Sequence, residues 1–91
     1  MKLEDIKKVA TVGSGVIGSS WATGFALKGM EVNLYDKFPE ALPVAMDRIK
    51  GNLEQLAANG VVANAEIPAI LERIHPTTDM KEAVQDVQFV Q

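Results

Sequence analysis

A 91-residue chain with 47% hydrophobic and 23% charged residues has the balance of one ordinary globular domain, or part of one. A formal net charge of −3 and a pI near 5.0 argue against nucleic acid or an anionic membrane as partner. The absence of cysteine excludes disulfides and thiol chemistry and fits a reducing, cytoplasmic setting; the mixed-charge opening MKLEDIKK reads as neither a secretory signal nor a transit peptide, and no segment reaches the roughly 18 apolar residues of a membrane span.

KVATVG, Lys8 to Gly13, is short, mostly apolar and ends at a glycine, which predicts a buried strand. From Val16 to Lys28 the pattern turns helical, and Gly29 stands where a helix C-terminal glycine belongs. EVNLYD, Glu31 to Asp36, alternates and is β-prone, so the opening reads strand, helix, strand: a βαβ unit. A long helix is predicted to start at Pro39 and stop at Gly60, with an apolar stripe of Leu42, Met46, Ile49, Leu53 and Leu56. Pro43 fits it only within the first turn, and Gly51 weakens its middle by about 1 kcal/mol relative to alanine. Asn64 is expected to cap a shorter helix running through Arg73, with Pro68 near its first turn. RIHPTTD reads as a third strand. Thr78 or Asp79 then caps a short helix, Asp79 and Glu82 forming a capping box. VQFVQ opens a fourth strand. A buried parallel strand that stops with the chain predicts that residues 1–91 are the N-terminal part of a larger domain. The expected fold class is α/β, a Rossmann-type doubly wound parallel sheet, incomplete, with its first four strands in the order 3-2-1-4.

The first βα junction carries the chemistry. Glycines at 13, 15 and 18 spell G-x-G-x-x-G between a predicted strand and a predicted helix, and Ala22 and Gly29 extend the pattern. Gly13 permits the turn, Gly15 lets a pyrophosphate approach the backbone, and Gly18 allows close helix packing. Amide hydrogens from Ser14 through Gly15, Val16 and Ile17 would face the ligand at the positive end of the helix dipole. Asp36 ends the second strand, 18 residues after Gly18 and near the expected spacing of about 20. Its carboxylate would accept from both adenosine ribose hydroxyls. A 2′-phosphate would instead meet like charge, worth about 4 kcal/mol at 4 Å before screening. No arginine directly follows Asp36, and Lys37 is weak compensation, so NAD is expected over NADP; a flavin fold shares this front end.

Other residues carry less. Trp21 and Phe25, one turn apart, read as core or domain contact, and the Leu42 to Leu56 stripe as packing or an arm toward a substrate or second domain. His75 is the only histidine and has no carboxylate partner evident in sequence. No residue pair has metal-ligand spacing, and no G-x-S-x-G is present.

With VGSGVIGSSWA, VNLYD and the later ILERIHPTTDMKEAV in view, the chain resembles, from Ile6 to Gln91, the N-terminal NAD-binding part of the 3-hydroxyacyl-CoA dehydrogenase family. The GVIGSSWA variant is also similar to the gulonate dehydrogenase (lambda-crystallin) and carnitine dehydrogenase branches. The resemblance implies a fatty-acid enzyme in which NAD takes hydride from the 3-carbon of a hydroxyacyl-CoA, giving the 3-ketoacyl product. It implies a histidine–glutamate pair with an assisting serine and asparagine, all beyond the fourth strand. No catalytic residue is therefore expected in this chain, and His75 is not the family's histidine. A helical C-terminal domain and a homodimer belong to the parent. Proline at 43 and 68 departs from the family's helices. A dehydrogenase of a non-CoA hydroxy acid and a non-catalytic nucleotide-binding or structural protein are the alternatives.

Overall fold

The computed structural model describes residues 6–91; residues 1–5, most of the charged opening segment read above for targeting signals, lie outside them. Four parallel strands, β1 (Lys8–Val12), β2 (Glu31–Tyr35), β3 (Ile74–Thr77) and β4 (Phe89–Val90), make one sheet in the order β3-β2-β1-β4. Each connection runs through helix, as parallel pairing requires: α1 (Val16–Leu27), α2 (Ala41–Ala58) with α3 (Ile67–Glu72), and α4 (Met80–Val84). Val9 lies opposite Val32 on one side and Phe89 on the other.

Three consecutive residues are buried in each central strand, Val9, Ala10 and Thr11 in β1 and Val32, Asn33 and Leu34 in β2, because both faces of the sheet are covered. Val9, Val32 and Leu34 join Ala22 and Ala26 of α1 and Leu42, Ala45, Ile49 and Leu53 of α2 in the main core. The two alanines are fully buried, so α1 lies close to the strands. On the other face Asn33 donates through Nδ2 to the Ala83 carbonyl of α4, at 2.9 Å.

Several boundaries differ from the sequence expectation. The long helix starts at Ala41, not Pro39, because Phe38 to Glu40 form a turn in which Ala41 donates to the Phe38 carbonyl at 3.1 Å. Pro43 thus falls in the first turn, where its missing N–H leaves no bond unmade. Asn64 makes no capping bond. It begins a 3₁₀ turn, Asn64–Glu66, that leads into α3, where Pro68 occupies the first turn. That helix stops at Glu72, one residue short of Arg73. Asp79, not Thr78, caps α4 and accepts from the amides of Lys81 and Glu82 at 3.0 and 3.2 Å. The capping box closes on one side only, because the Asp79 amide donates to Thr77 Oγ1 at 3.1 Å. Asp79→Ala should therefore cost about 1 kcal/mol and lower the melting temperature by about 4–8 °C, read by thermal circular dichroism. The fourth strand is not buried as expected: Phe89 and Val90 are 40% and 48% exposed, with β1 as their one strand neighbour.

Candidate functional site

The strand–helix junction after β1 is latched to the end of β2. Gly13 takes φ +94°, a conformation that side-chain-bearing residues rarely adopt, and its amide donates to the Tyr35 carbonyl at 2.8 Å. Ser14 donates to Asp36 Oδ2 twice, from its amide at 3.1 Å and from its hydroxyl at 2.6 Å. Asp36 Oδ1 accepts from the Phe38 amide at 3.0 Å. The Ser14 hydroxyl, ahead of the Phe38 amide, holds the Asp36 carboxyl below its ordinary range. Its share of stability is therefore in place above the ordinary value of about 3.9 and is lost as pH falls through the lowered native value.

The other two glycines serve different needs. A Cβ on Gly18 would lie 2.1 Å from the Gly13 carbonyl oxygen, so the close approach is to the turn itself rather than to the strands. Gly15 has φ −67° and ψ −165°, open to any residue, and a Cβ there would meet nothing within 4 Å. Neither backbone strain nor packing within the chain demands glycine at this position. What it preserves is clear space beside the start of α1. Among the described residues nothing accepts from the amides of Gly15, Val16 and Ile17, the unpaired donors of a helix N-terminus. The Ser14 amide, expected among them, is engaged by Asp36.

A cleft of about 430 Å³ opens over this turn, lined by Thr11, Gly13, Gly15, Val16, Gly18 and Trp21 among others. Thr11 is 1% exposed, and its Oγ1 is buried with no hydrogen-bond partner. An unpaired buried hydroxyl costs about 1–3 kcal/mol, so Thr11→Val should raise the unfolding midpoint of the free chain in a urea titration. A second cleft of about 390 Å³, between α1 and α2, is lined by Ser20, Thr23, Asn52 and Gln55 and holds no titratable group. The free amides and the ionised carboxylate make the glycine turn the candidate site.

The structure brings to this turn two groups that sequence reasoning did not place there. Arg48 of α2 approaches the Ser14 carbonyl, Nη1 to O 3.5 Å, a meeting set by helix packing across 34 residues. Trp21 stacks on Phe25 at 5.6 Å between centroids yet also walls the cleft, and Phe25 meets Phe89 edge-on at 6.0 Å. Lys37 lies over the Phe38 ring, 5.1 Å from its centroid. His75 does have a carboxylate partner, Glu31, with Nε2 to Oε1 3.2 Å. Glu31 opens β2, so this pair stands at the sheet end away from the glycine turn. Among the described residues no cluster of His, Asp or Glu could hold a metal ion, and no helix is long and apolar enough to cross a membrane.

The residues present fit a dinucleotide: free amides and clear space at Gly15 for a pyrophosphate, and an ionised carboxylate at the end of β2 for a ribose. Comparison with known proteins agrees. The chain is similar to L-carnitine dehydrogenase of Streptomyces griseus, 36% identical over 88 residues that cover 97% of this chain and 25% of that protein. It is similar to lambda-crystallin of Oryctolagus cuniculus, 34% identical over 91% of this chain and 26% of that protein. The fold matches the crystal structure of 3-hydroxybutyryl-CoA dehydrogenase from Escherichia coli K12 with TM-score 0.84 and 32% identity, covering 94% of this chain and 18% of that one. The chain spans about a quarter of the length of the curated relatives it matches. The model of the 3-hydroxyacyl-CoA dehydrogenase NAD-binding domain matches residues 8–91, and the chain belongs to that family.

Proposed function

We propose that residues 6–91 hold the adenosine half of NAD in a dehydrogenase that oxidises 3-hydroxyacyl-CoA to 3-ketoacyl-CoA. The observation that carries this reading is Gly15, a glycine that nothing in the chain itself requires, beside three free amides and the Asp36 carboxylate. The amides of Gly15, Val16 and Ile17 bind the pyrophosphate, and Gly13 and Gly18 shape the turn that aims them. Asp36 orients the adenosine ribose. When bound, NAD supplies the hydride acceptor. No residue of this chain is assigned to proton transfer: the lone histidine is held by Glu31 at the far end of the sheet. The chain would then be the first part of a Rossmann domain, and substrate turnover, the acyl-CoA pocket and the homodimer would belong to a longer parent. A cytoplasmic location suits a cysteine-free chain that uses a soluble cofactor.

Titration of the 91-residue chain with NADH, followed by quenching of the fluorescence of Trp21 in the cleft wall and repeated with NADPH, tests the site. Saturable binding of NADH with little response to NADPH is expected; equal response to both would remove Asp36 as the discriminating group. A second reading, a non-CoA hydroxy acid as substrate, is favoured by the 36% identity to L-carnitine dehydrogenase against 32% to the CoA enzyme. Activity of the longer protein on carnitine rather than on 3-hydroxybutyryl-CoA would establish it.

A further inference from the structure

We propose that Ser14 is a positioning residue for the adenosine ribose: its buried hydroxyl fixes the Asp36 carboxylate through Oδ2, leaving Oδ1 as the oxygen offered to a single ribose hydroxyl. This rests on the NAD reading above. A carboxylate oxygen has two lone-pair sites. Both on Oδ2 are taken, by the Ser14 amide at 3.1 Å and the Ser14 hydroxyl at 2.6 Å. Oδ1 accepts from the Phe38 amide at 3.0 Å and has one site left. A carboxylate clasping both vicinal hydroxyls, as the spacing of Asp36 alone suggests, would need one site more than this arrangement leaves free.

Ser14 itself is 1% exposed, so its hydroxyl acts on a ligand through Asp36 and not by touching it. Its backbone is pinned on the other side. The Ser14 carbonyl accepts from Ser19 Oγ at 3.1 Å and from Arg48 Nη1 at 3.5 Å. Swinging Asp36 aside would break two hydrogen bonds at Oδ2 together, one of them short and charge-assisted. A 2′-phosphate arriving at this position therefore meets an anion that is held in place. The serine in the middle of the first G-x-G thus contributes to cofactor choice through its side chain, in a position where a plain phosphate-binding loop uses the backbone alone.

The test combines binding with a readout that needs no cofactor. Carbon-13 NMR titration of the Asp36 carboxyl in the free wild-type chain should give a midpoint below that of an ordinary aspartate, and Ser14→Ala should raise it. In the NADH titration Ser14→Ala should weaken binding about tenfold, because the side chain of an unheld Asp36 must be ordered when the ribose binds, and narrow the NADH/NADPH ratio. In an Asp36→Asn background the same substitution should cost NADH affinity nothing further. An ordinary wild-type midpoint overturns the proposal without any variant. So does a Ser14→Ala chain that keeps NADH affinity within twofold, or one that loses as much affinity in the Asp36→Asn background. A depressed midpoint in the wild-type chain, with NADH bound neither by it nor by the longer protein, defeats the NAD reading and leaves the Ser14–Asp36 coupling standing.

Discussion

Gly18→Ala should abolish NADH binding and lower the melting temperature of the chain by about 10–20 °C, the equivalent of about 2–3 kcal/mol of overpacking. The added Cβ would sit 2.1 Å from the Gly13 carbonyl oxygen and 2.9 Å from its carbon. Those atoms are backbone and cannot rotate away. Relief requires either α1 to draw back from the turn or Gly13 to move. The first opens the interface of Ala22 and Ala26, both fully buried against the strands. The second breaks the 2.8 Å bond from the Gly13 amide to the Tyr35 carbonyl that latches the turn to β2. Gly15→Ala makes the contrast: with nothing within 4 Å of its Cβ, it should leave the melting temperature nearly unchanged and weaken NADH binding alone. Thermal melts and fluorescence titrations of the two variants side by side check this. Equal melting temperatures would show that the turn yields more readily than its backbone contacts imply.

Asp36→Asn should weaken NADH binding by about 10- to 100-fold, the loss of charge from a hydrogen-bonded carboxylate, and bring NADH and NADPH to within about threefold of each other. The expected wild-type preference has two sources. One is the proposed ribose hydrogen bond to Oδ1. The other is repulsion of a 2′-phosphate, which salt reduces at this partly exposed group. The neutral amide removes the repulsion and weakens the hydrogen bond. Lys37 does little to offset the charge, since it packs over the Phe38 ring. Arg48 also reaches the turn, 3.5 Å from the Ser14 carbonyl. Asp36→Asn combined with Arg48→Ala should therefore bind NADPH less well than Asp36→Asn alone. A single Asp36→Asn chain that retains a strong NADH preference would show that selectivity resides elsewhere in the cleft.

The fold and the outline of the candidate site were legible in the sequence because both rest on short-range constraints. Val9, Val12 and the glycine at 13 mark a strand and its end. The four- and three-residue spacing from Leu42 to Leu56 marks one helix face, of which Leu42, Ile49 and Leu53 are buried and Met46 and Leu56 partly buried. G-x-G-x-x-G states much of its own geometry, since Gly13 answers to the turn and Gly18 to a contact five residues back. Helix termini were less legible. Asn64 has the right side chain for a cap, yet the backbone takes a 3₁₀ turn there, and the Asp79 amide prefers Thr77 Oγ1 to the Glu82 carboxylate. Local propensity offers several near-equal partners at such positions, and packing selects among them.

By itself the sequence determined the order of elements, the glycine turn and the acid at the end of the second strand, all dictated by periodicity and by backbone freedom at single residues. Tertiary structure alone decided how those parts act on one another. It spent the Ser14 amide and hydroxyl on Asp36, 22 residues away, and carried Arg48 to the Ser14 carbonyl. It paired His75 with Glu31 at the sheet end remote from the site, and left Thr11 buried without a partner beneath the cleft. Each of these depends on which helix face meets which strand end, a choice made by burial of the whole core and written in no local stretch of the chain.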